Sequence, residues 1–201
     1  VIRRGISEEL SGFCYDYFLK KRQVARIFYD TRYISQHNED WGVWNDPQIP
    51  NTYSHYCDVA MDTLLEKLQP RMEAESGVKL YPTYSFARIY KKGDVLERHT
   101  DRYSCEISAT MNLGGDPWEL FIDPTGGTGK SGKSILMEPG DLVMYRGCEL
   151  EHWREAFEGE NCGQVFFHYN DASGKEADVN KYDTRPFLGL PADFRGIKVE
   201  T

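Results

Sequence analysis

The sequence lacks an uninterrupted apolar stretch of the roughly 18 residues or more that a membrane-spanning helix needs. Its first residues also lack the order of a secretory signal, in which basic residues precede an apolar segment. We therefore expect a protein that has no membrane partner and carries no cleaved signal.

Cysteine is sparse, and its spacing matches none of the usual cysteine motifs. The five cysteines are an odd number, they are widely dispersed, and no two of them form a Cys-x-x-Cys pair. Reduced thiols in a cytoplasmic compartment fit this arrangement best. The cysteines are Cys14, Cys57, Cys105, Cys148 and Cys162.

An excess of positive charge is also missing. The formal net charge is −8 and the pI is near 5.2, which argues against a large electrostatic footprint for nucleic acid or for an anionic membrane. A local basic patch at Lys91, Lys92, Arg98 and Arg102 is compatible with this balance. A nucleic-acid partner is therefore not expected.

What the sequence does contain is typical of a folded protein. Hydrophobic residues make up 40% of the 201 residues and aromatic residues 13%, far from the composition of disordered chains. No internal repeat or low-complexity tract interrupts the chain. We predict a single domain over 1–201, with a helical part over about 1–77, a β core over about 78–171 and a tail over about 172–201.

The first 77 residues have helical patterns on both sides of a loop. Apolar residues at three- and four-residue spacing, behind a Ser-Glu-Glu start, predict a helix over 7–28. Residues 33–50 have a loop composition, in which Trp41 and Trp44 act as large apolar anchors. A second amphipathic pattern predicts a helix over 52–74, which Pro70 kinks or ends.

From residue 78 onward the patterns are those of short strands separated by Gly, Pro and Asp turns. Such strands, without helices between them, favour a sandwich or barrel over a parallel sheet. The predicted fold class is therefore mainly β with flanking helices. The predicted strands cover residues 84–90, 106–113, 118–122, 134–137, 142–145 and 164–169.

Three side chains have the pattern of a metal site. His99 and Asp101 are two residues apart at the end of an extended segment, so both can point to the same face. His152 follows another predicted strand about fifty residues later. Two histidines and one carboxylate form the facial triad of non-haem iron enzymes, which leaves positions open for oxygen and a bidentate co-substrate.

The surrounding segments resemble a known family. Residues 90–101, YKKGDVLERHTD, resemble the Tyr-x-x-Gly to His-x-Asp region of the prolyl-hydroxylase branch of the 2-oxoglutarate and iron(II)-dependent oxygenases. Residues 105–113, 138–145 and 164–171 resemble that family's next strand, the strand before its distal histidine and its last strand. The resemblance covers roughly residues 80–171 and implies a double-stranded β-helix, or jelly roll, preceded by helices.

The resemblance also implies roles for particular residues. His99, Asp101 and His152 match the iron ligands and catalytic centre, and Tyr90 matches a tyrosine that hydrogen-bonds the co-substrate. The family's Arg or Lys, about ten residues beyond the distal histidine, is missing, because Asn161 and Cys162 stand there.

A buried co-substrate carboxylate needs a cation, so another residue must supply it. Arg154 is the first choice, because strand alternation gives it the inward face of His152. Arg88, two residues before Tyr90, is the second choice by the same alternation. Gln164 is placed to add a hydrogen bond from the last strand, and His168 to line the pocket.

Residues 127–134, GTGKSGKS, match the phosphate-binding P-loop as text. A working P-loop must open a helix whose N-terminal amides face the phosphates. Here Pro139 and Gly140 interrupt the chain after a short strand-like segment, which leaves no room for that helix. We interpret residues 124–133 as a hairpin loop without nucleotide.

These observations predict an Fe(II)- and 2-oxoglutarate-dependent dioxygenase that uses O2 and hydroxylates a C–H bond, with ascorbate as a reductant. The acid at Asp101 favours hydroxylation, because halogenases of this class lack that carboxylate. The resemblance makes a peptide or protein proline the leading substrate. A small-molecule hydroxylase and a cupin-like metal protein without oxygenase activity are the alternatives, and the oligomeric state stays open.

Overall fold

The computed structural model describes residues 1–35, 37–126, 129, 131–192 and 194. Its elements follow a mainly β order with helices at both ends. The helices are α1 (Glu8–Asp30), α2 (Val59–Ser76) and α3 (Ala177–Asn180). The strands are β1 (Tyr53–Tyr56), β2 (Leu80–Lys91), β3 (Leu96–His99), β4 (Ile107–Gly115), β5 (Leu120–Ile122), β6 (Lys133–Ile135), β7 (Leu142–Arg146), β8 (His152–Arg154) and β9 (Asn161–Asp171).

The strands form two antiparallel sheets. The larger sheet has the order β1-β2-β9-β4-β7, and the smaller sheet has the order β3-β8-β5-β6. Because chain neighbours such as β2 and β3 lie in different sheets, the chain alternates between the two layers as a jelly roll does. The predicted fold class, mainly β with flanking helices around a double-stranded β-helix, is confirmed.

Helix α1 starts where the sequence predicts. The Ser7 side chain accepts a hydrogen bond from the amide of Leu10 at 3.2 Å, and acidic residues in the first turn suit the helix dipole. Its buried residues include Cys14 and Phe18, four positions apart on one face, as an amphipathic helix requires. The Ser11 hydroxyl donates to the carbonyl of Leu113 at 2.9 Å, which attaches this face to β4.

The segment that was expected to start a second helix contains a strand. Residues Tyr53–Tyr56 pair with β2, and α2 begins only at Val59, with Asp58 as its N-cap. The helix then continues through Pro70 to Ser76, so the proline does not end it. The prediction of a helix over 52–74 was therefore wrong at its start, whereas its end lies within two residues of the observed one.

The larger sheet has a different environment on each face. Its outer face packs against α1 and α2 and forms the main hydrophobic core, with residues such as Phe18, Met61 and Val165. Cross-strand partners Arg88, Gln164 and Asn112 share the opposite face, because side chains alternate along each strand. This inner face is rich in polar groups, and it contributes residues to the cavity described below.

The segment after β9 packs back onto α2 and β2. Arg185 is buried and donates to Asp62 at 3.3 Å and to the carbonyl of Thr83 at 3.1 Å, while Leu188 joins the main core. The end of the predicted tail, residues 193 and 195–201, lies outside the described residues. None of the described helices has both the length and the apolar character needed to cross a membrane.

Candidate metal centre

Two neighbouring strands of the smaller sheet bring the predicted ligands together. His99 ends β3 and His152 begins β8, and the two residues are cross-strand partners. Asp101 follows β3, where its amide donates to the carbonyl of Gly147 at 2.8 Å. The ligand atoms of His99, Asp101 and His152 all lie within 4.8 Å of one another. The structure therefore groups the three residues that the sequence selects.

Backbone carbonyls fix the orientation of both imidazole rings. His99 Nδ1 lies 2.7 Å from the carbonyl oxygen of Glu97, and His152 Nδ1 lies 3.0 Å from that of Leu150. A carbonyl can only accept, so each Nδ1 donates and each Nε2 keeps its lone pair. The two Nε2 atoms lie 3.6 Å and 3.5 Å from Asp101 Oδ1, so three donor atoms converge as metal ligands do.

Asp101 is held as a carboxylate. Burial acts to raise its pKa, but the close imidazole of His152, the nearby His168 and the hydrogen bond from Ser108 outweigh burial and lower the pKa to about 2. Ser108 Oγ donates to Asp101 Oδ2 at 2.9 Å. The carboxylate is thus charged at neutral pH, as a metal ligand must be.

Gly147 makes room for this carboxylate. A Cβ at Gly147 would lie 2.6 Å from Ser108 Oγ and would also collide with Asp101 Oδ2 and the carbonyl of Cys105. Side chains do not tolerate such approaches. The missing side chain at this turn is therefore a condition for the position of Asp101.

A second group of possible ligands shares Asp101. Cys105 and His168 place ligand atoms within 4.8 Å of that carboxylate and of each other. His168 is buried, its Nδ1 lies 3.0 Å from Ser108 Oγ, and burial lowers its pKa to about 4. As predicted, His168 lines the cavity, and it reaches the first ligand group through Ser108.

Arg154 is fully buried without an anionic partner. Its guanidinium donates to the carbonyl of Trp118 at 2.6 Å and to Gln164 Oε1 at 3.2 Å, and it lies over the Trp118 ring. Within the described part of the chain no carboxylate lies within 4.0 Å of it, and its Nε has no hydrogen-bond partner. Both features are costly for a buried cation, and an incoming anion would relieve them.

Arg88, the alternative cation, already has a partner. It forms an ion pair with Asp46 and donates to Gln48 Oε1 at 3.1 Å and to the Tyr90 hydroxyl at 3.3 Å. The Gln48 amide in turn lies 3.2 Å from His99 Nε2, to which it donates. Arg88 therefore anchors residues of the 45–51 loop beside the metal ligands, and its charge is compensated.

One cavity of about 390 Å³ contains the ligand group. Tyr90 and Tyr145 line it, and Tyr145 packs against His152 with ring centroids 4.8 Å apart. Sequence reasoning missed Asp46, Gln48 and Tyr145, which also line it. Strand alternation from Val143 could have identified Tyr145, but the two loop residues carry no periodic signal.

The residues at the position of the family's basic group do not supply a cation. Asn161 accepts a hydrogen bond from Arg22 at 2.8 Å, on the side of α1. Cys162 is buried, and Gln164 donates to its sulfur at 3.1 Å. Of the two alternatives, the uncompensated Arg154 fits the missing role better than the paired Arg88.

The P-loop pattern ends inside a strand. Lys133–Ile135 form β6, which pairs with β5, so no helix faces this segment with its N-terminus. Residues 127, 128 and 130 lie outside the described residues. The geometry that phosphate binding requires is not formed by residues 131–140.

The residues present suit a divalent transition metal with a dicarboxylate beside it. Two imidazole nitrogens and one carboxylate oxygen are the donor set that leaves a metal face open. Arg154 lies two residues after His152 on β8 and donates to Gln164 on β9, and neither residue lines the 390 Å³ cavity. The donor set therefore fits a divalent metal ion, and the uncompensated charge of Arg154 is what favours an anion such as a carboxylate.

Comparison with solved structures identifies the fold. An oxidoreductase of the 2OG-Fe(II) oxygenase family from Burkholderia pseudomallei is 14% identical with a TM-score of 0.51, and the match covers 60% of this chain and 66% of that one. A Pseudomonas putida prolyl-4-hydroxylase is 12% identical with a TM-score of 0.56, covering 84% and 89%. HygX from Streptomyces hygroscopicus, solved with nickel and 2-oxoglutarate, is 12% identical with a TM-score of 0.54, covering 86% and 82%.

Comparison with protein-family models gave no match, and comparison with curated proteins gave none either. The structural matches establish that this chain has the double-stranded β-helix fold of the 2-oxoglutarate and iron(II)-dependent oxygenases.

Proposed function

We propose that this chain is an Fe(II)- and 2-oxoglutarate-dependent dioxygenase that hydroxylates a C–H bond, with a proline of a peptide or protein as its substrate. The observation that carries the proposal is the convergence of His99, Asp101 and His152 in one cavity. The fold agrees with it, and so does the resemblance over residues 80–171.

In this proposal the chain's residues have separate roles. His99, Asp101 and His152 hold the iron, and Asp101 contributes the charge that the neutral imidazoles lack. Arg154 pairs with the far carboxylate of 2-oxoglutarate, because a planar guanidinium meets a carboxylate with two hydrogen bonds. Gln164 orients Arg154, and the Tyr90 hydroxyl donates a further hydrogen bond to the co-substrate.

When bound, iron with 2-oxoglutarate and O2 supplies the oxidant that converts a C–H bond to an alcohol and releases succinate and carbon dioxide. The chain's task is to keep the open face of the site dry and to aim the substrate at it. Leu96 and Phe166 line the cavity with apolar surface, and the His152 side chain is 4% exposed, whereas that of His99 is 26% exposed and marks the open side of the site.

The second candidate is a cupin-like metal protein without oxygenase activity. The observation that favours it is that Asn161 and Cys162 stand where the family has its basic residue. It would bind metal but not 2-oxoglutarate. A small-molecule hydroxylase differs from the first proposal only in its substrate.

A His99→Ala variant tests the proposal. We expect the wild-type chain to bind iron(II) and to form succinate from 2-oxoglutarate, and the variant to lose both without unfolding, because two remaining ligands hold iron weakly. Metal analysis, a succinate assay and circular dichroism measure these properties. His37→Ala is the control, since His37 is exposed in the loop before β1 and does not line the metal cavity.

Unchanged iron stoichiometry in His99→Ala would remove the metal assignment. Bound iron without any succinate formation in the wild-type chain would instead favour the cupin-like candidate.

A further inference from the structure

A second cavity lies beside the metal cavity, and the proposed chemistry does not use it. Its volume is about 570 Å³, larger than the 390 Å³ of the metal cavity. Asp46, Tyr56 and Phe86 line both cavities. A molecule in the second cavity is therefore separated from the metal cavity by shared side chains alone.

The second cavity opens along the edge of the larger sheet. β1 is the edge strand, and Ser54 exchanges hydrogen bonds of 2.9 Å and 2.8 Å with Val43 on its free side. Glu39, Asp40 and Gly42, which precede Val43, line the cavity opposite Tyr56. A gap thus remains between this segment and the end of β1.

The main chain of Tyr56 faces that gap. Amide and carbonyl groups of successive strand residues point to alternate sides, so Tyr56 points to the same side as Ser54, away from β2. Within the described ranges, no residue bonds the Tyr56 main chain on this side. An unpaired edge of this kind accepts an extended peptide as an added strand.

A buried side chain at the same edge also lacks a partner. Ser54 is fully buried and lines the cavity, and its hydroxyl has no hydrogen-bond partner in the part of the chain that the structure describes. Buried hydroxyls are normally satisfied. The oxygen has almost no accessible surface, so a ligand in the cavity would meet the main chain of this edge and not the Ser54 hydroxyl.

The inner part of the cavity is electrically balanced. Lys21 pairs with Asp58 at 2.5 Å, and Asp46 pairs with Arg88. These four charges cancel, so they create no preference for a charged ligand.

The rim is negative. Glu39 and Asp40 are exposed where they line the cavity, and no cation among the described residues lies within 4.0 Å of either carboxylate. The aromatic rings of Tyr17, Tyr56 and Phe86 also line the cavity, but a cation of the chain already lies over each of them, so they add no preference for a basic ligand. The chain's net charge of −8 acts in the same direction at longer range.

We propose that the second cavity binds an extended peptide segment that carries lysine or arginine. The peptide pairs its main chain with Tyr56 and places its basic side chains against Glu39 and Asp40. It then continues past the shared wall towards the metal centre. The role of this segment as part of a substrate rests on the proposed function, whereas its binding does not.

Binding is tested without metal or co-substrate, so that the result is independent of oxygenase activity. The probes are two dye-labelled, terminally blocked nonapeptides of glycine and proline, one with three lysines and its twin with three glutamates. Fluorescence anisotropy with the full chain measures both affinities. We expect the lysine peptide to bind about tenfold more tightly, the effect of two partly screened ion pairs, and the preference to shrink as salt rises.

A Glu39→Gln, Asp40→Asn double variant locates the preference. We expect it to lose most of the tenfold difference. Glu158→Gln with Glu160→Gln makes the same change in net charge at exposed positions that line neither cavity, so it is expected to keep the difference. Equal affinities for the two peptides, or equal losses in both double variants, would overturn the basic-peptide assignment.

N-methylation of single peptide amides tests the pairing with Tyr56. One lost main-chain hydrogen bond weakens binding by about fivefold, so at least one methylated position is expected to show this loss. If no position in the scan weakens binding, the added-strand mode is wrong. If the metal-free chain binds the peptide and the iron-loaded chain forms no succinate in its separate assay, the oxygenase proposal fails and this binding site stands.

Discussion

At the scale of single residues, the metal centre depends on contacts that hold each ligand from behind. Glu97 and Leu150 supply the carbonyls that fix the two imidazoles, and Ser108 fixes the carboxylate. These partners set which atom of each ligand faces the cavity. A residue near the ligands therefore affects metal binding without touching the metal.

Arg154 gives the first prediction at this scale. We expect Arg154→Ala to weaken 2-oxoglutarate binding by more than tenfold while iron affinity stays within about twofold, because it removes a charge-assisted pair with the co-substrate and no iron ligand. Isothermal titration with 2-oxoglutarate and with iron measures both. Arg154→Lys, which keeps the charge without the planar fork, is expected to fall between the two. Equal co-substrate affinity in Arg154→Ala would transfer the role to Arg88.

Gly147 gives the second prediction. Gly147→Ala places a methyl group against Asp101, Ser108 and Cys105, so we expect a loss of about 1–3 kcal/mol in stability and a clear loss of iron affinity. Gly12→Ala is the matched control, since no atom lies within 4 Å of the added carbon in α1. It is expected to stabilise the helix by about 0.5–1 kcal/mol. Urea denaturation and iron titration distinguish the two variants, and equal behaviour would contradict the tight-turn explanation.

At the scale of elements, Asp58 joins three parts of the fold. It caps α2 through the amides of Ala60 and Met61, and it lies two residues after the end of β1. Its carboxylate oxygen Oδ2 also accepts hydrogen bonds from the Tyr17 hydroxyl at 2.7 Å and from Lys21 Nζ at 2.5 Å, both on α1. The attachment of α1 to the junction between β1 and α2 thus depends on this one buried charge.

The pH dependence of stability tests this junction. Burial acts to raise the pKa of Asp58, but His55, Lys21 and Tyr17 outweigh burial and hold the pKa well below its usual range. A depressed folded-state pKa means that the stabilisation is complete above the unfolded value near 4 and is lost as pH falls below it. We expect Asp58→Asn to cost about 3 kcal/mol at pH 7, and less at pH 3. Urea denaturation at both pH values measures this, and a pH-independent cost would contradict the charge argument.

How far the sequence predicts these elements depends on their length. α1 has an N-cap and an apolar stripe over more than twenty residues, so the sequence pattern predicts it. β1, β3 and β8 span four, four and three residues, which is too short for periodicity to show. The predicted helix over 52–74 therefore included the residues of β1. Tertiary pairing with β2 decided that segment, which local propensity could not anticipate.

The site residues also divide into those that the local sequence pattern predicts and those that contacts between distant segments bring to the site. His99, Asp101 and His152 could be selected because the ligand spacing is a property of the chain itself. The burial of Arg154 followed from alternation on an extended strand. Asp46 and Gln48 reach the site only because Arg88 holds their loop there, which is a contact between distant segments.

At the scale of the whole molecule, two sheets and two long helices bring the metal ligands together in one cavity. A second cavity, with an acidic rim at the edge of the larger sheet, lies next to it. The segment after β9 closes over the same region, where Asp183 pairs with Arg102 at 2.7 Å and bonds Tyr56. Tyr56 thus lines both cavities and contacts the C-terminal segment. The fold in this way places two cavities side by side with Tyr56 in their shared wall.

The most direct test is an anaerobic titration of the iron(II)-loaded chain with 2-oxoglutarate, followed by visible spectroscopy. We expect the weak charge-transfer band of the iron and 2-oxoglutarate chelate to appear and to saturate near one equivalent, and to be absent in His99→Ala. If iron is shown to be bound and no band appears at any concentration of 2-oxoglutarate, the oxygenase proposal is wrong and the cupin-like metal protein takes its place.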